Sequence, residues 1–200
     1  RSDARFEIQP PDFITAINGG HDVGMQFVYF EKEVERHFHL ILRRFLEKHD
    51  MLYLRDILIT ILKELVANAT KANAKRLYFQ NKGLDITVKH DYIEGMNTFK
   101  TDVLHTDSEV LQQLGKTNLR VKIAFQNTDQ LLRLSVINNT HITEEELYKI
   151  EARIKKAYRY ADITDAFADV LDDSEGAGLG LIMAMMVFKN AGFEHEDFRI

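Results

Sequence analysis

The sequence predicts an α/β (α+β) two-layer sandwich, with a mixed, mainly antiparallel sheet, helices on one face, and a long amphipathic helix in front. Three observations point there. Val121, Ile123 and Phe125, then Leu132, Leu134 and Val136, alternate on either side of Asn127-Thr128-Asp129-Gln130, the pattern of a β-hairpin. Apolar residues recur at helical spacing over 23–48, over about 52–73, and again through Leu147, Ile150, Ile154 and Ala157. A glycine cluster ending at Gly180 opens a further helix through the apolar run Leu181 to Phe188.

Residues 1–22 read as an N-terminal arm: a short strand from Arg5 to Ile8, a break at Pro10-Pro11 and a loop to Gly19-Gly20. Over 23–50, Phe27, Phe30, Val34, Phe38, Ile41 and Phe45 predict one long amphipathic helix, whose stripe suits either core packing or a homodimer seam along 23–48. His49-Asp50 marks a turn into a helix from about Leu52 to Asn73. Arg76 to Gln80 reads as a strand, Asn81-Lys82-Gly83 as a turn, and Leu84, Ile86 and Val88 as a second strand. The stretch 90–118 reads as an insertion carrying a helix from Asp107 to Leu114. Its Gly115-Lys116-Thr117 is not a P-loop, because Val110 stands where the motif needs glycine and no strand leads in. Thr143 and Glu146 form a capping box for a helix to about Arg159. The helix after the glycines runs to about Asn190, Gly192 ends it, and Phe198-Arg199-Ile200 begins a strand.

Bulk properties exclude several functions. Two hundred residues, 45% hydrophobic and 28% charged, suit one domain able to bury a core. The net charge of −5 argues against a nucleic-acid surface, whose main affinity term is phosphate neutralisation by Lys and Arg. The absence of cysteine excludes disulfides, zinc–thiolate sites and thiol catalysis, and fits a reducing, cytoplasmic setting. The longest purely apolar run is less than half a bilayer span, and no signal peptide is visible, so no membrane segment is expected.

Two stretches carry the chemistry. In Glu64-Leu65-Val66-Ala67-Asn68-Ala69-Thr70-Lys71, the residues Glu64, Asn68 and Lys71 stand i, i+4, i+7 apart and share one helical stripe beside Ile61, Leu65, Ala69 and Ala72. Ala67, Ala69, Ala72 and Ala74 keep the helix surface low enough for a ligand. In Glu175-Gly176-Ala177-Gly178-Leu179-Gly180-Leu181, alternating glycines open a helix whose unpaired N–H groups and positive dipole end suit phosphate.

Together these stretches resemble the N-box and second glycine box of the GHKL ATPase superfamily, nearest to its histidine-kinase-like ATP-binding domains, over 51–200. The resemblance implies ATP and Mg2+ as ligands. It implies that Asn68 ligates magnesium, that Glu64 orients or activates the attacking group, that Lys71 lies near the phosphates, and that Gly176, Gly178 and Gly180 close over them. The acidic stretch 161–175 then stands where the family keeps its ATP lid.

The departures bear on function. The family's first glycine box, an Asp-x-Gly-x-Gly, is here Val136-Ile137-Asn138-Asn139-Thr140-His141-Ile142, without either glycine. Asn138, with Asn139 as the reserve, stands for the family aspartate that accepts from the adenine amino group. Neither His37 nor His39 has the sequence of a phosphoacceptor histidine, so an acceptor domain or protein partner is expected outside these residues. The chain ends where the family adds a further strand and so reads as a fragment. The expected function is the ATP·Mg-binding catalytic domain of a bacterial histidine-kinase-like signalling protein, a protein kinase incomplete in this chain. One alternative is a degenerate domain acting as a regulatory nucleotide-binding or protein-interaction module; another is an anti-sigma-type serine kinase of the same superfamily.

Overall fold

The structure, a computed structural model, describes the chain outside residues 1–5, 105–111, 129–130, 163 and 167–177, and the side chains outside those and 100–104. The chain is α+β and divides into two compact units, residues 1–52 with 66–141 and residues 53–65 with 142–200. One helix, α3 (Arg55–Lys82), runs through both. Among the described residues, no helix is long and apolar enough to cross a membrane.

The first unit is a two-layer sandwich around a four-stranded sheet in the order β1 (Phe6–Gln9), β2 (Val23–Phe27), β3 (Val121–Thr128), β4 (Leu131–Asn138). Every pairing is antiparallel, whereas a mixed sheet was expected. The hairpin β3–β4 stands where the alternation put it, with Ile123 opposite Val136 and Phe125 opposite Leu134. On β2, Val23, Met25 and Phe27 are buried while Gly24 and Gln26 are half-buried, the period-2 signature of a strand.

The predicted single helix over 23–48 is therefore corrected to β2 followed by α2 (Lys32–Lys48). The misreading has a physical source. Phe30 lies between the two elements, its ring 5.5 Å from that of Phe27 and 5.7 Å from that of Phe38, so one aromatic cluster drawn from strand, turn and helix mimics a helical stripe. Within α2, Val34, Phe38, Ile41, Leu42, Phe45 and Leu46 are buried, and Phe45 meets Phe125 of β3 edge-on at 5.7 Å. The stripe is thus core against the sheet in this unit. The arm at 1–22 is also more structured than expected: it supplies β1 and a short helix, α1 (Phe13–Asn18), capped by Asp12. Lys48 donates to the carbonyls of Ile17 and Asn18 at the far end of α1.

A second correction concerns 76–88. The expected strands at Arg76–Gln80 and Leu84–Val88 are absent; α3 continues to Lys82, and α4 (Lys89–Leu104) begins soon after. Neither Gly nor Pro occurs between Arg55 and Lys82, so nothing in the backbone stops the helix earlier. Gly83, with φ +68°, ends it, and Leu84 N–H donates to Phe79 O at 3.0 Å in a Schellman-type closure. Asp85 then turns the chain by accepting from both the N–H and the hydroxyl of Thr87, which hold its carboxyl below the usual range. Leu77 and Ala74 pack with Val28 and Leu114. The expected helix from Asp107 lies largely outside the described residues; a helical turn is seen at 112–115.

The second unit is helical. It comprises the first turns of α3, α5 (Glu144–Arg159) and α6 (Leu179–Asn190), with Ile61, Ile154, Ala157, Leu181, Ile182 and Met185 in its core. Thr143 caps α5: its hydroxyl accepts from Glu146 N–H at 3.2 Å, and Glu146 accepts from Thr143 N–H at 3.1 Å. Lys189 donates to the carbonyls of Tyr158 and Tyr160 at the other end. Gly192, with φ +90°, follows α6. The expected terminal strand is absent. Phe198 follows a 3-10 turn, His195–Asp197, and its ring meets Phe188 edge-on. Aromatic packing, in place of pairing to a strand, holds this segment.

Thr143→Ala removes one half of a reciprocal cap, so it is expected to cost about 1 kcal/mol and lower the melting midpoint by about 2–4 °C. Thr143→Ser should leave it nearly unchanged. Circular dichroism melts of the three proteins check this.

Candidate functional site

Because α3 is unbroken, Glu64, Asn68 and Lys71 stand on one stripe of a single helix, spread along about 10 Å of its axis. Glu64 and Asn68 are half-buried and Lys71 is exposed. The small residues alongside behave as expected: Ala67, Ala69 and Ala72 are half-buried and Ala74 is buried.

In the second unit the glycine cluster meets the glutamate. Gly178, with φ +140°, is the N-cap of α6, and Gly180 lies in its first turn. A methyl group built on Gly180 would overlap the carboxyl of Glu64, so this helix start and that carboxyl come together because residue 180 has no side chain. A methyl group on Gly178 would overlap the guanidinium of Arg153, which α5 carries to the same helix start. A carboxylate and a guanidinium thus flank the donor-rich end of α6. Arg153 had no signal in the sequence, where it is one of several charges on an exposed-looking face. Gly176 and most of the lid stretch 161–175 lie outside the described residues. Of that stretch, Asp162 Oδ1 accepts from the N–H groups of Thr164 and Asp165, which lower its pKa, and Ala166 is buried.

In the first unit, Asn138 closes β4. Its Nδ2 donates to Thr140 Oγ1 at 2.7 Å and, at 3.4 Å, to Oδ1 of Asn73 on α3. Asn139, the reserve, spends its whole amide on backbone: Oδ1 accepts from Arg120 N–H and Nδ2 donates to Asn118 O, each at 2.7 Å. Asn138 differs in that both of its side-chain hydrogen bonds leave from Nδ2. Arg76 donates to His141 O at 2.6 Å and ties the following loop to α3. Asn73 was missed by sequence reasoning, although a signal existed: it stands seven residues after Val66 and four before Leu77, on the buried stripe, where an amide is out of place.

Among the described residues no three His, Asp or Glu side chains converge on a metal position. Magnesium on a nucleotide does not need such a cluster, since phosphate oxygens and waters supply most of its ligands and one protein oxygen suffices. A depression of about 400 Å³ lined by Arg76, Phe79, Gln80, Gly83, Leu84, Asp85 and Ile86 contains none of the expected site residues.

The two glycines should respond differently to alanine. At Gly178 the positive φ makes Gly178→Ala costly, by about 1–3 kcal/mol. At Gly180 the obstacle is the end of a flexible side chain, and the gain in helix propensity of about 1 kcal/mol offsets much of its displacement. Gly180→Ala should therefore shift the carboxyl resonance of Glu64 with little change in the urea midpoint. An unmoved Glu64 signal would contradict the packing described.

Over 148 residues, 74% of its length, the chain is 38% identical to a protein of Treponema pallidum (strain Nichols) named as an uncharacterized protein, and it spans 29% of that protein's length. No protein-family model matches the chain. No solved structure matches it either.

Proposed function

We propose that this chain is the ATP- and magnesium-binding catalytic domain of a histidine-kinase-like signalling protein of the cytoplasm, with its phosphoacceptor elsewhere, on another domain or partner. The observation that carries the reading is the seating of Gly180 against the Glu64 carboxyl. Glu64 and the glycine cluster, more than a hundred residues apart and singled out separately in the sequence, meet within one unit, at a helix start whose N-cap is Gly178. In this reading Asn68 supplies the protein oxygen to magnesium, Lys71 neutralises phosphate charge, the glycine box receives the phosphates on backbone N–H groups, and Glu64 orients the attacking group. Transfer of this kind depends mostly on positioning and charge neutralisation, which this set of residues can provide.

A second reading, a degenerate domain serving as a regulatory nucleotide-binding or protein-interaction module, is favoured by one observation. The end of β4 carries Asn138 and Thr140 hydrogen-bonded to each other where the family has an aspartate and a glycine.

Asn68→Ala is expected to abolish the magnesium-dependent part of ATP binding, because magnesium loses its protein ligand. Calorimetry with ATP, with and without magnesium, measures this; a wild-type chain giving no heat at high ATP would sink the proposal.

The chain by itself should not phosphorylate its own histidines. His37 Nδ1 lies 2.9 Å from Glu33 O on α2 and its ring is tilted against that of Phe6, and the His39 ring packs near Phe38. Incubation with γ-labelled ATP should leave no acid-labile, base-stable label. Stoichiometric label lost in His37→Ala or His39→Ala would make α2 a phosphoacceptor element.

A further inference from the structure

We infer that β4 is an interaction surface for a second copy of this chain, pairing antiparallel with its own counterpart about a two-fold axis at Leu134, so that two four-stranded sheets join into one.

β4 lies at the edge of the sheet, hydrogen-bonded to β3 alone. Asn139 N–H donates to Arg120 O at 3.3 Å, the next rung of that ladder. Antiparallel rungs alternate, so the N–H and C=O groups of Leu131, Arg133, Ser135 and Ile137 face β3, and those of Leu132, Leu134, Val136 and Asn138 face away from it. None of this outward set makes a backbone hydrogen bond among the described residues. The two edges of the sheet are built differently. β1 has four residues, a glutamate among them, and runs into Pro10-Pro11, features that discourage pairing. β4 has eight residues in unbroken register, no proline, glycine or lysine, and a single charge, Arg133. Leu131 is 64% exposed and Ile137 49%, which leaves large apolar side chains in water toward both ends of the strand. A long apolar edge of this kind is a template for another strand.

The order of side chains identifies the partner. Leu131-Leu132-Arg133-Leu134-Ser135-Val136-Ile137 reads in either direction as apolar, apolar, polar, apolar, polar, apolar, apolar. A two-fold axis needs such a self-complementary surface. Centred on Leu134, the axis sets Leu131 opposite Ile137 of the second copy, Leu132 opposite Val136, and Arg133 opposite Ser135. Outward-facing residues then meet outward-facing ones, so each such pair exchanges both of its main-chain hydrogen bonds. Leu134 and Val136 stand beside Phe125 and Ile123, which are buried, so the half-buried Leu132, Leu134 and Val136 gain cover on the core side. Leu131 and Ile137 cover one another on the opposite face. Neighbouring centres are worse. An axis at Arg133 sets two guanidiniums against each other, and one at Ser135 sets Arg133 against Ile137 and Leu132 against Asn138. Like charges directly opposite destabilise a strand pair, whereas apolar pairs stabilise it.

One strand from each copy makes a small interface, so the dimer is expected to exchange with monomer as concentration changes. Sedimentation velocity over a range of concentrations reads that equilibrium. Ser135→Arg sets a guanidinium opposite Arg133 on both sides of the axis and should weaken the dimer about tenfold. Adding Arg133→Glu turns both contacts into opposite-charge pairs and should restore dimerisation. Ser135 shares the face of Lys122 and Gln126, away from the buried side, so the fold of each copy is retained. A chain that stays monomeric up to roughly 1 mM, or a dimer indifferent to Ser135→Arg, overturns the inference.

The register is read with thiols, of which the chain has none of its own. In Leu134→Cys the new thiol meets its own copy at the axis, with about 5.5 Å between Cα atoms, and should form an intermolecular disulfide under mild oxidation. In Leu132→Cys the two thiols stand about 13 Å apart along the strands and should not. The reverse pattern overturns the inference. Amide exchange at Leu132, Leu134 and Val136 distinguishes other cover. Protection lost on dilution supports a second copy; protection that persists in the monomer shows an edge covered from within the chain and overturns it. None of these readouts involves nucleotide, so they hold whatever the outcome of the ATP measurements.

Discussion

The absence of any glycine or proline between Arg55 and Lys82 is the constraint on which the rest depends. A helix propagates cheaply once begun, so an uninterrupted stretch of good or neutral formers continues until a residue such as Gly83 offers the left-handed exit. The resulting helix gives Ile61 to the core of one unit and Ala74 and Leu77 to the core of the other. It also carries Glu64, Asn68 and Lys71 along a single rail.

The glycines make sense against this rail. A helix start can approach a carboxylate closely at a position with no Cβ, and Gly180 supplies it opposite Glu64. Gly178 meets a different demand, a backbone with φ +140° beside the Arg153 guanidinium. The same residue type thus answers two separate requirements, one of space and one of conformation.

The hairpin end shows how neighbouring polar groups share out their partners. Asn138, Asn139 and Thr140 divide the hydrogen bonding: Asn139 stitches the hairpin to the backbone at 118–120, while Asn138 donates to Thr140 and to Asn73. A buried amide is expensive, and its retention on an otherwise apolar stripe marks a place where packing has yielded to a specific orientation.

The elements legible from the sequence were those specified by local rules. The β3–β4 hairpin, the Thr143 cap of α5 and the extent of α6 rest on alternation, capping chemistry and a helix-breaking glycine, all of which act within a few residues. The spacing of Glu64, Asn68 and Lys71 on one stripe was legible for the same reason. Tertiary structure decided the rest. It made β2 of 23–27, because Val23, Met25 and Phe27 find strand partners in Ile123 and its neighbours a hundred residues away. It let Arg76–Gln80 stay helical, because Leu77 and Phe79 could be buried from a helix as well as from a strand. It tied Asn139 to the backbone at 118–120, brought Arg153 to Gly178, and placed Asn73 beside Asn138. Each of these is a contact between residues distant in the chain, and no local propensity encodes which distant group will be present.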